Sequence, residues 1–328
     1  MSFLVTGGAG YIGAHVVRAC QAAGLEVVVL DDLSSGRRSF VPADVPFVEA
    51  SILDTPRLSE TMSEHHVTVV IHLAGYKYAS VSVQRPLFTY EHNVTGTARV
   101  LAAMRDAGVK GIVFSSSAAV YGTPAVDVVT EETATRPESP YGESKLVGEW
   151  LIRSAARAHG FRHTSLRYFN VVGSAAPTLH DTSPHNLFPV VIDALRSGKT
   201  PAINGDDYPT RDGTCVRDFI HVADLADAHV VAGRRLDAGD ALEPVYNLGS
   251  GTGVTVREIM MAFADVTGRH FTPEVHPRRP GDPATVVANG DLAAAHLDWR
   301  MRHSIHDMVE SAWAAVRAQK PESDQSGG

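Results

Sequence analysis

Residues 1–31 read MSFLVTGGAGYIGAHVVRACQAAGLEVVVLD. Phe3–Thr6 is a short apolar run that stops at glycine, and Leu25–Leu30 is a second one that stops at Asp31-Asp32. Between them Ile12, Val16, Ala19, Cys20 and Ala23 recur at helical spacing. The unit is a strand, a tight turn, a helix and a second strand. Gly7 permits the tight turn, Gly10 lets backbone approach a pyrophosphate, and Gly13 lets the helix pack closely on the sheet. The helix that opens at Tyr11-Ile12 presents free N–H groups and a positive dipole end to phosphate. Asp31 follows Gly13 by 18 positions. A carboxylate there accepts hydrogen bonds from a ribose 2′-OH and repels a 2′-phosphate, which favours NAD over NADP. The competing reading is a ligand-free turn with Asp31 capping a loop.

The alternation continues outward from this unit. Phe47–Glu49, Val67–Leu73, Gly111–Ser115 and Thr164–Arg167 read as strands, and about 87–107 and 141–159 as helices. Strands alternating with helices predict an α/β fold, a doubly wound parallel sheet of Rossmann type covered on both faces. The second half carries helix signals at Leu187–Arg196, Val222–Gly233, Val256–Thr267 and Ser304–Arg317. Short strands are expected near Ala202-Ile203, Val216–Ile220 and Val245–Leu248, and Pro and Gly are dense at Pro273–Pro283. We expect an NAD-binding domain over 1–170 and a smaller α/β substrate domain over 171–320, with elements near 215–233 rejoining the first. The polar tail 321–328, PESDQSGG, should be disordered.

The chain has 328 residues with 29 basic and 37 acidic side chains, a net charge of −8. That balance argues against a nucleic-acid surface and makes any anion site local. Cys20 and Cys215 are too few for a disulfide framework or a metal pair. No signal peptide and no membrane-length apolar run is visible, so a cytoplasmic setting without membrane contact is expected. His65, His66, His296, His303 and His306 show no ligand spacing, so no metal is expected.

Tyr141 and Lys145 are four apart on one helical face, and the preceding strand runs into Ser115-Ser116-Ser117. A phenol ionises near pH ~10, so using it as a base at neutrality needs about 4 kcal/mol of differential stabilisation. A lysine ammonium and a nicotinamide cation close by act in that direction. The tyrosinate could then take a proton from an alcohol as hydride leaves, with Ser117 bonded to the same oxygen. The competing reading is an incidental pair on an amphipathic helix.

These residues resemble the extended short-chain dehydrogenase/reductases. The match is carried by T-G-G-x-G-Y-I-G at 6–13, H-L-A-G at 72–75, Asn93, S-S-S-A-A-V-Y-G at 115–122 and S-P-Y-G-E-S-K at 139–145. The nucleotide-sugar epimerase branch is marked by L-R-Y-F-N at 166–170, N-L-F-P at 186–189, D-D-Y-P-T-R-D-G-T-C-V-R-D-F-I-H-V at 206–222, Y-N-L-G-S-G at 246–251 and R-R-P-G-D at 278–282. The resemblance implies Tyr141 as acid/base, Lys145 on the nicotinamide ribose, and Ser117 assisting. It implies NAD contacts from Gly7, Gly10, Tyr11, Ile12 and Gly13, from Asp31, Asp32, Ser51 and Ile52, and from Leu73, Ala74, Gly75 and Lys77. Asn93, Ser115 and Tyr168 complete that cofactor set.

For the nucleotide sugar the resemblance implies Lys77, Ser117, Tyr141, Phe169 and Asn170, then Asn186, Leu187, Asn204, Arg217, Arg279, Asp282 and Val286. Arg217 and Arg279 suit a diphosphate, because guanidinium forks match phosphate oxygens. The implied reaction oxidises the sugar's carbon-4 hydroxyl and returns hydride to the other face, interconverting UDP-glucose and UDP-galactose. Ser51 stands where the family usually has an Asp at the adenine, Asn204 where an aromatic stacks on uracil, and the loop 174–185 differs from the usual pattern. Val286 replaces a bulky tyrosine common in bacterial members, which implies room for N-acetylhexosamines. A homodimer is implied through the helices near 87–107 and 141–159, with apolar faces at Val100, Leu101, Leu146 and Leu151.

Other readings compete, and a nucleotide-sugar decarboxylase is disfavoured with the first of them, since it too usually carries an acid at 118–119. A sugar 4,6-dehydratase needs an Asp-Glu pair where Ala118 and Ala119 stand, and neither alanine can exchange protons. A reductase of the same family would consume its cofactor. A non-catalytic NAD-binding sensor need not keep Tyr141, Lys145 and Ser117 together.

Overall fold

Strand β1 (Ser2–Thr6), buried at all five positions, is the axis on which the molecule is built. The structure, a computed structural model, describes residues 1–279 and 282–319. From β1 the chain runs through α1 (Tyr11–Ala22), β2 (Glu26–Asp31), β3 (Phe47–Glu49), α2 (Thr55–Glu64) and β4 (Val67–His72). It continues through α3 (Ala79–Gln84), α4 (Pro86–Tyr90), α5 (Gly96–Ala107), β5 (Gly111–Ser115), β6 (Val128–Val129), α6 (Pro140–His159) and β7 (Arg162–Tyr168). Then come β8 (Asn170–Val172), α7 (Leu187–Arg196), β9 (Ala202–Asn204), β10 (Val216–Arg217), β11 (Phe219–His221), α8 (Val222–Asp237) and β12 (Val245–Leu248). The last elements are β13 (Val254–Thr255), α9 (Val256–Thr267), β14 (Glu274–His276), β15 (Thr285–Ala288), α10 (Asp291–Leu297) and α11 (Ile305–Arg317).

Seven strands form one sheet in the order β12-β7-β5-β4-β1-β2-β3, every neighbouring pair parallel. Side chains alternate between its faces, as the two-residue period requires. Phe3, Val5, Val69 and Ile71 pack with Val16 of α1 and Leu225 of α8. Leu4 and Val70 pack with Leu58, Val100, Met104 and Ile152 on the other face. The expected three-layer, doubly wound sheet is present. Connections diverge to either side of β1, so the sheet opens between β1 and β4, where such folds form their ligand crevice.

The later elements build a second core of Phe188, Ile192, Ile203, Ile259, Phe263 and Met308. Its small sheets are β13-β10-β15-β6, β11-β8 and β14-β9. The chain does not stay in this part: α8 packs on α1, β4 and β5, and β12 edges the large sheet beside β7.

Several elements depart from the sequence reading. The helix expected over 87–107 contains a π turn at Glu91–Thr95 between α4 and α5. The strand expected over 216–220 breaks at Asp218, whose buried carboxylate accepts the N–H groups of Ser250 and Ala288, all at 3.0 Å. One strand half then pairs with β13 and β15 and the other with β8. Helix α2 was not foreseen, because Leu58 and Met62 are its only buried apolar residues. Its signal was Asp54, whose side chain accepts the Arg57 N–H, followed by Pro56 in the first turn. The Pro- and Gly-dense stretch 273–283 contains β14, which the sequence reading did not assign. The tail 321–328 lies outside the described residues.

Candidate active site

At the carboxyl ends of β1 and β4 opens a cavity of about 930 Å³. Its wall begins at the 7–13 turn. Gly7 has φ +74°, and a Cβ there would stand 2.7 Å from the Ala74 nitrogen. A Cβ on Gly13 would fall 2.1 Å from the Gly7 oxygen, so the turn closes only with glycine at both places. At Gly10 the only close atom is that same oxygen, at 3.3 Å, leaving an unfilled cradle beside the start of α1. No side chain caps this helix start, so its first N–H groups are available to an anion. Asp31 accepts the N–H groups of Ala9 (3.0 Å) and Leu33 (2.8 Å). Burial pushes its carboxyl above the ordinary value, while those two bonds pull it down. Asp32 accepts the Ser34 N–H at 2.9 Å. Open cradle, free helix start and a carboxylate at the end of β2 fit a bound dinucleotide.

Tyr141 and Lys145 stand one turn apart on α6, which starts at Pro140 with the Ser139 hydroxyl accepting the Gly142 N–H. Both line the cavity. Lys145 Nζ donates to the Ser115 carbonyl at 2.9 Å and lies 5.9 Å from the Tyr141 ring centroid. Burial lowers Lys145 to about 8. Burial also holds the Tyr141 phenol above its ordinary value, and its hydrogen bond with Ser117 pulls the other way. Ser117 itself accepts the Ala119 N–H at 3.1 Å. Tyr168, pushed up by burial and then by neighbouring Tyr141, closes this wall.

Asn93 sits within the π turn, buried behind the wall. Its Oδ1 accepts the Tyr76 N–H at 2.6 Å, and its Nδ2 donates to the Tyr76 carbonyl at 3.0 Å and to Ser144 Oγ at 2.9 Å. Ser144 Oγ in turn donates to the Tyr141 carbonyl at 2.7 Å. One side chain thereby joins the 73–78 loop to the Tyr141 helix. Deeper still, Arg167 pairs with Glu149 through two bonds of 2.8 and 2.6 Å. Glu149 also accepts from Ser116 Oγ at 2.5 Å. Sequence reasoning missed this buried pair; Arg167 stood in plain view inside L-R-Y-F-N.

The far end of the cavity is polar. Arg217 Nη2 lies 3.2 Å from Asp282 Oδ1, and its Nη1 donates to the Val216 carbonyl at 2.9 Å. Arg279, Asn204, Asn186 and Leu187 line the same cavity, as do Phe169, Asn170 and Lys77. Asn186 Nδ2 donates to Asp181 Oδ2 at 2.6 Å, and Asn170 Nδ2 to the Asp218 carbonyl at 2.8 Å.

All but five of the expected site residues line this cavity. Asn93, Ser115 and Ser117 stand directly behind it through the bonds above, with Ser115 Oγ bonded to His229 Nε2 at 2.7 Å. Ser51 turns its hydroxyl to the Leu53 N–H at 3.2 Å, leaving Ala50 and Ile52 on the wall. Val286 sits on β15 opposite Arg217 and is not among the lining residues. Unforeseen lining residues include Phe40, Tyr78, Asp181, His185 and His276; none belongs to a motif, and only contact across the fold assembles them. The cluster His306, Asp307 and Glu310 is exposed and lies off this wall.

Known proteins are similar to this chain over nearly its whole length. UDP-glucose 4-epimerase of Azospirillum brasilense is 43% identical over 329 residues, covering 99% of this chain and 94% of that protein. The solved UDP-glucose 4-epimerase of Stenotrophomonas maltophila, with bound NAD and formylated UDP-arabinopyranose, superposes with a TM-score of 0.92 at 39% identity, covering 97% of this chain and 98% of that one. The UDP-Glc/GlcNAc 4-epimerase of Campylobacter jejuni superposes with a TM-score of 0.84 at 33% identity, covering 96% and 99%. Residues 3–249, which carry the glycine turn, Tyr141 and Lys145, match the NAD dependent epimerase/dehydratase family, and the chain belongs to that family.

Proposed function

We propose that this chain is a nucleotide-sugar 4-epimerase that interconverts UDP-glucose and UDP-galactose through a transient 4-keto sugar. The observation that carries the reading is that Tyr141, Lys145, Arg217 and Arg279 all open onto one cavity. When bound, NAD supplies the hydride acceptor, the returning hydride and a positive charge beside Tyr141. Tyr141 Oη takes the proton of the C4 hydroxyl and returns it to the C4 oxygen once the sugar has turned over. Ser117 supports that oxygen through its bond to Tyr141, and Lys145 supplies the cation that favours the phenolate. Arg217 and Arg279 hold the diphosphate, with Asn186 and Asn204 beyond, so the sugar alone swings.

Residues 1–170 serve the cofactor and 171–320 the nucleotide sugar in this reading. Acceptance of N-acetylhexosamines belongs to it too. Val286 is off the wall, so that part is supported by similarity to the Campylobacter jejuni enzyme. A homodimer through α4 and α6 is supported by the exposed apolar residues Leu87 and Trp150, which are 81% and 52% exposed. Val100, Leu101 and Leu146 are buried within the chain's own core. No helix among the described residues is long and apolar enough to cross a membrane. A cytoplasmic setting is supported by the two free, buried thiols.

The test is incubation of the purified protein with UDP-glucose, UDP-galactose and their N-acetyl counterparts, with products separated by chromatography. The expected result is one equilibrium mixture approached from either epimer without net change in NAD. Stoichiometric NAD reduction would identify a dehydrogenase instead.

A further inference from the structure

The segment 173–185 joins β8 to α7 and has no regular secondary structure, yet it is tied down at both ends. At its start Tyr11 Oη donates to the Gly173 carbonyl at 2.5 Å, and His15 Nε2 accepts the Ala175 N–H at 3.1 Å. Both partners belong to α1, the helix whose start borders the phosphate cradle. Ser174 Oγ accepts from Ala176 N–H at 3.2 Å and donates toward the carbonyls of Ala176 and Leu179, at 2.7 and 2.6 Å, drawing the segment into a knot. At its end Asp181 accepts from Ser183 N–H at 3.0 Å and from Asn186 Nδ2 at 2.6 Å, and His185 meets the Tyr78 ring edge-on at 5.4 Å.

Between these ties stands Leu179, fully buried against Ala14 of α1 and Phe40. Phe40 follows the Asp31 loop and lines the cavity, and His180 meets its ring edge-on at 5.9 Å. Asp181, Thr182 and His185 line the cavity as well. The segment therefore runs from the ribose-reading end to the Tyr78 side, forming wall between the two. Leu179 is the one large apolar side chain of this connection, and its full burial makes it a fastening: releasing it exposes Leu179 and Phe40 together, which the hydrophobic effect opposes.

We infer that residues 173–185 are a strap that retains the dinucleotide from one turnover to the next, with Leu179 as its latch. Leu179 is a positioning residue; it acts through Phe40 and α1. The inference rests on the proposed function only in that an enzyme returning its own hydride must keep its cofactor.

The experiment compares wild type, Leu179→Ser and Leu179→Met as full-length proteins loaded with NAD⁺. Each is desalted repeatedly, the dinucleotide that remains is released and quantified by mass spectrometry, and a melting curve is recorded alongside. Wild type and Leu179→Met should retain NAD. Leu179→Ser should lose it at least tenfold faster below its melting transition, its epimerisation should come to depend on added NAD⁺, and its KM for the nucleotide sugar should stay within twofold. Should Leu179→Ser show no native transition, Leu179→Ala carries the same comparison. Retention by a folded polar or truncated variant equal to wild type overturns the inference, as does failure of Leu179→Met to hold NAD. A wild type that retains NAD but converts no nucleotide sugar would sink the proposed function while the retention contrast still decides the strap.

Discussion

Asn93 Nδ2 lies 2.9 Å from Ser144 Oγ, linking the π turn to the helix that carries Tyr141 and Lys145. An extra residue per turn is what points Asn93 inward. Asn93→Ala leaves the Tyr76 backbone groups and Ser144 without this partner, and each buried polar group so stranded costs about 1–3 kcal/mol. We expect a lower melting temperature and a kcat reduced by about 100-fold, the scale of a small misplacement of reacting groups. Steady-state kinetics with UDP-glucose check this, and wild-type kcat in the variant would refute it.

Tyr141→Phe keeps the ring and deletes the oxygen to which the proposed function gives the proton transfer. kcat should fall by about 10²–10⁴-fold, the range of positioned acid–base catalysis. Dinucleotide content, read by mass spectrometry, should be unchanged. Residual activity within a few-fold of wild type would show that another group moves the proton.

Lys145 in the folded protein titrates near 8, below its ordinary 10.5, because it is buried. The unfolded state therefore binds more protons between these values, and Lys145's contribution makes stability rise as pH rises through that window. Catalysis runs the other way, since the ammonium is lost above about 8. The kcat–pH profile should show a basic limb with a midpoint near 8, and Lys145→Arg, which stays charged, should lose that limb whatever its absolute rate. A wild-type profile flat to pH 10 would contradict the role given to the ammonium.

Gly13 and Gly10 should separate by substitution. A Cβ at 13 collides with the Gly7 carbonyl, whereas at 10 it enters the cradle with one contact at 3.3 Å. Gly13→Ala should destabilise the fold by about 1–3 kcal/mol, the scale of overpacking, and lose NAD as well. Gly10→Ala should melt near wild type and lose NAD affinity alone. Thermal melts with and without added NAD⁺ distinguish them.

Glu149→Gln takes the charge from a pair in which both side chains are almost wholly buried. Leaving Arg167 as an uncompensated buried cation costs about 3–5 kcal/mol. Urea unfolding should show it as a lower midpoint, and an unshifted midpoint would mean that solvent reaches Arg167.

What was legible in the sequence was what local geometry alone determines. The glycine turn could be read because backbone conformation and close approach exclude other residues at 7 and 13. Tyr141 and Lys145 could be read because helical spacing places them together. Ser51 and Val286 could not, since the direction of a side chain on a short strand or turn depends on its neighbours across the sheet. Glu149 could not, because a lone glutamate on a helix looks solvated until an arginine from another strand arrives. Leu179 could not, because its burial is produced by Ala14 and Phe40, far away in the chain.

Asp218 separates Arg217, in one small sheet, from Phe219, in another, and its carboxylate is clamped by N–H groups from the loop after β12 and from the end of β15. That residue is a fulcrum. A load placed on the guanidinium by a substrate is transmitted into both sheets at once instead of being absorbed by a loose joint. In the proposed function the grip on the phosphates is thereby stiff, and the half-turn that inverts a hexose is left to rotation of the ligand's own bonds.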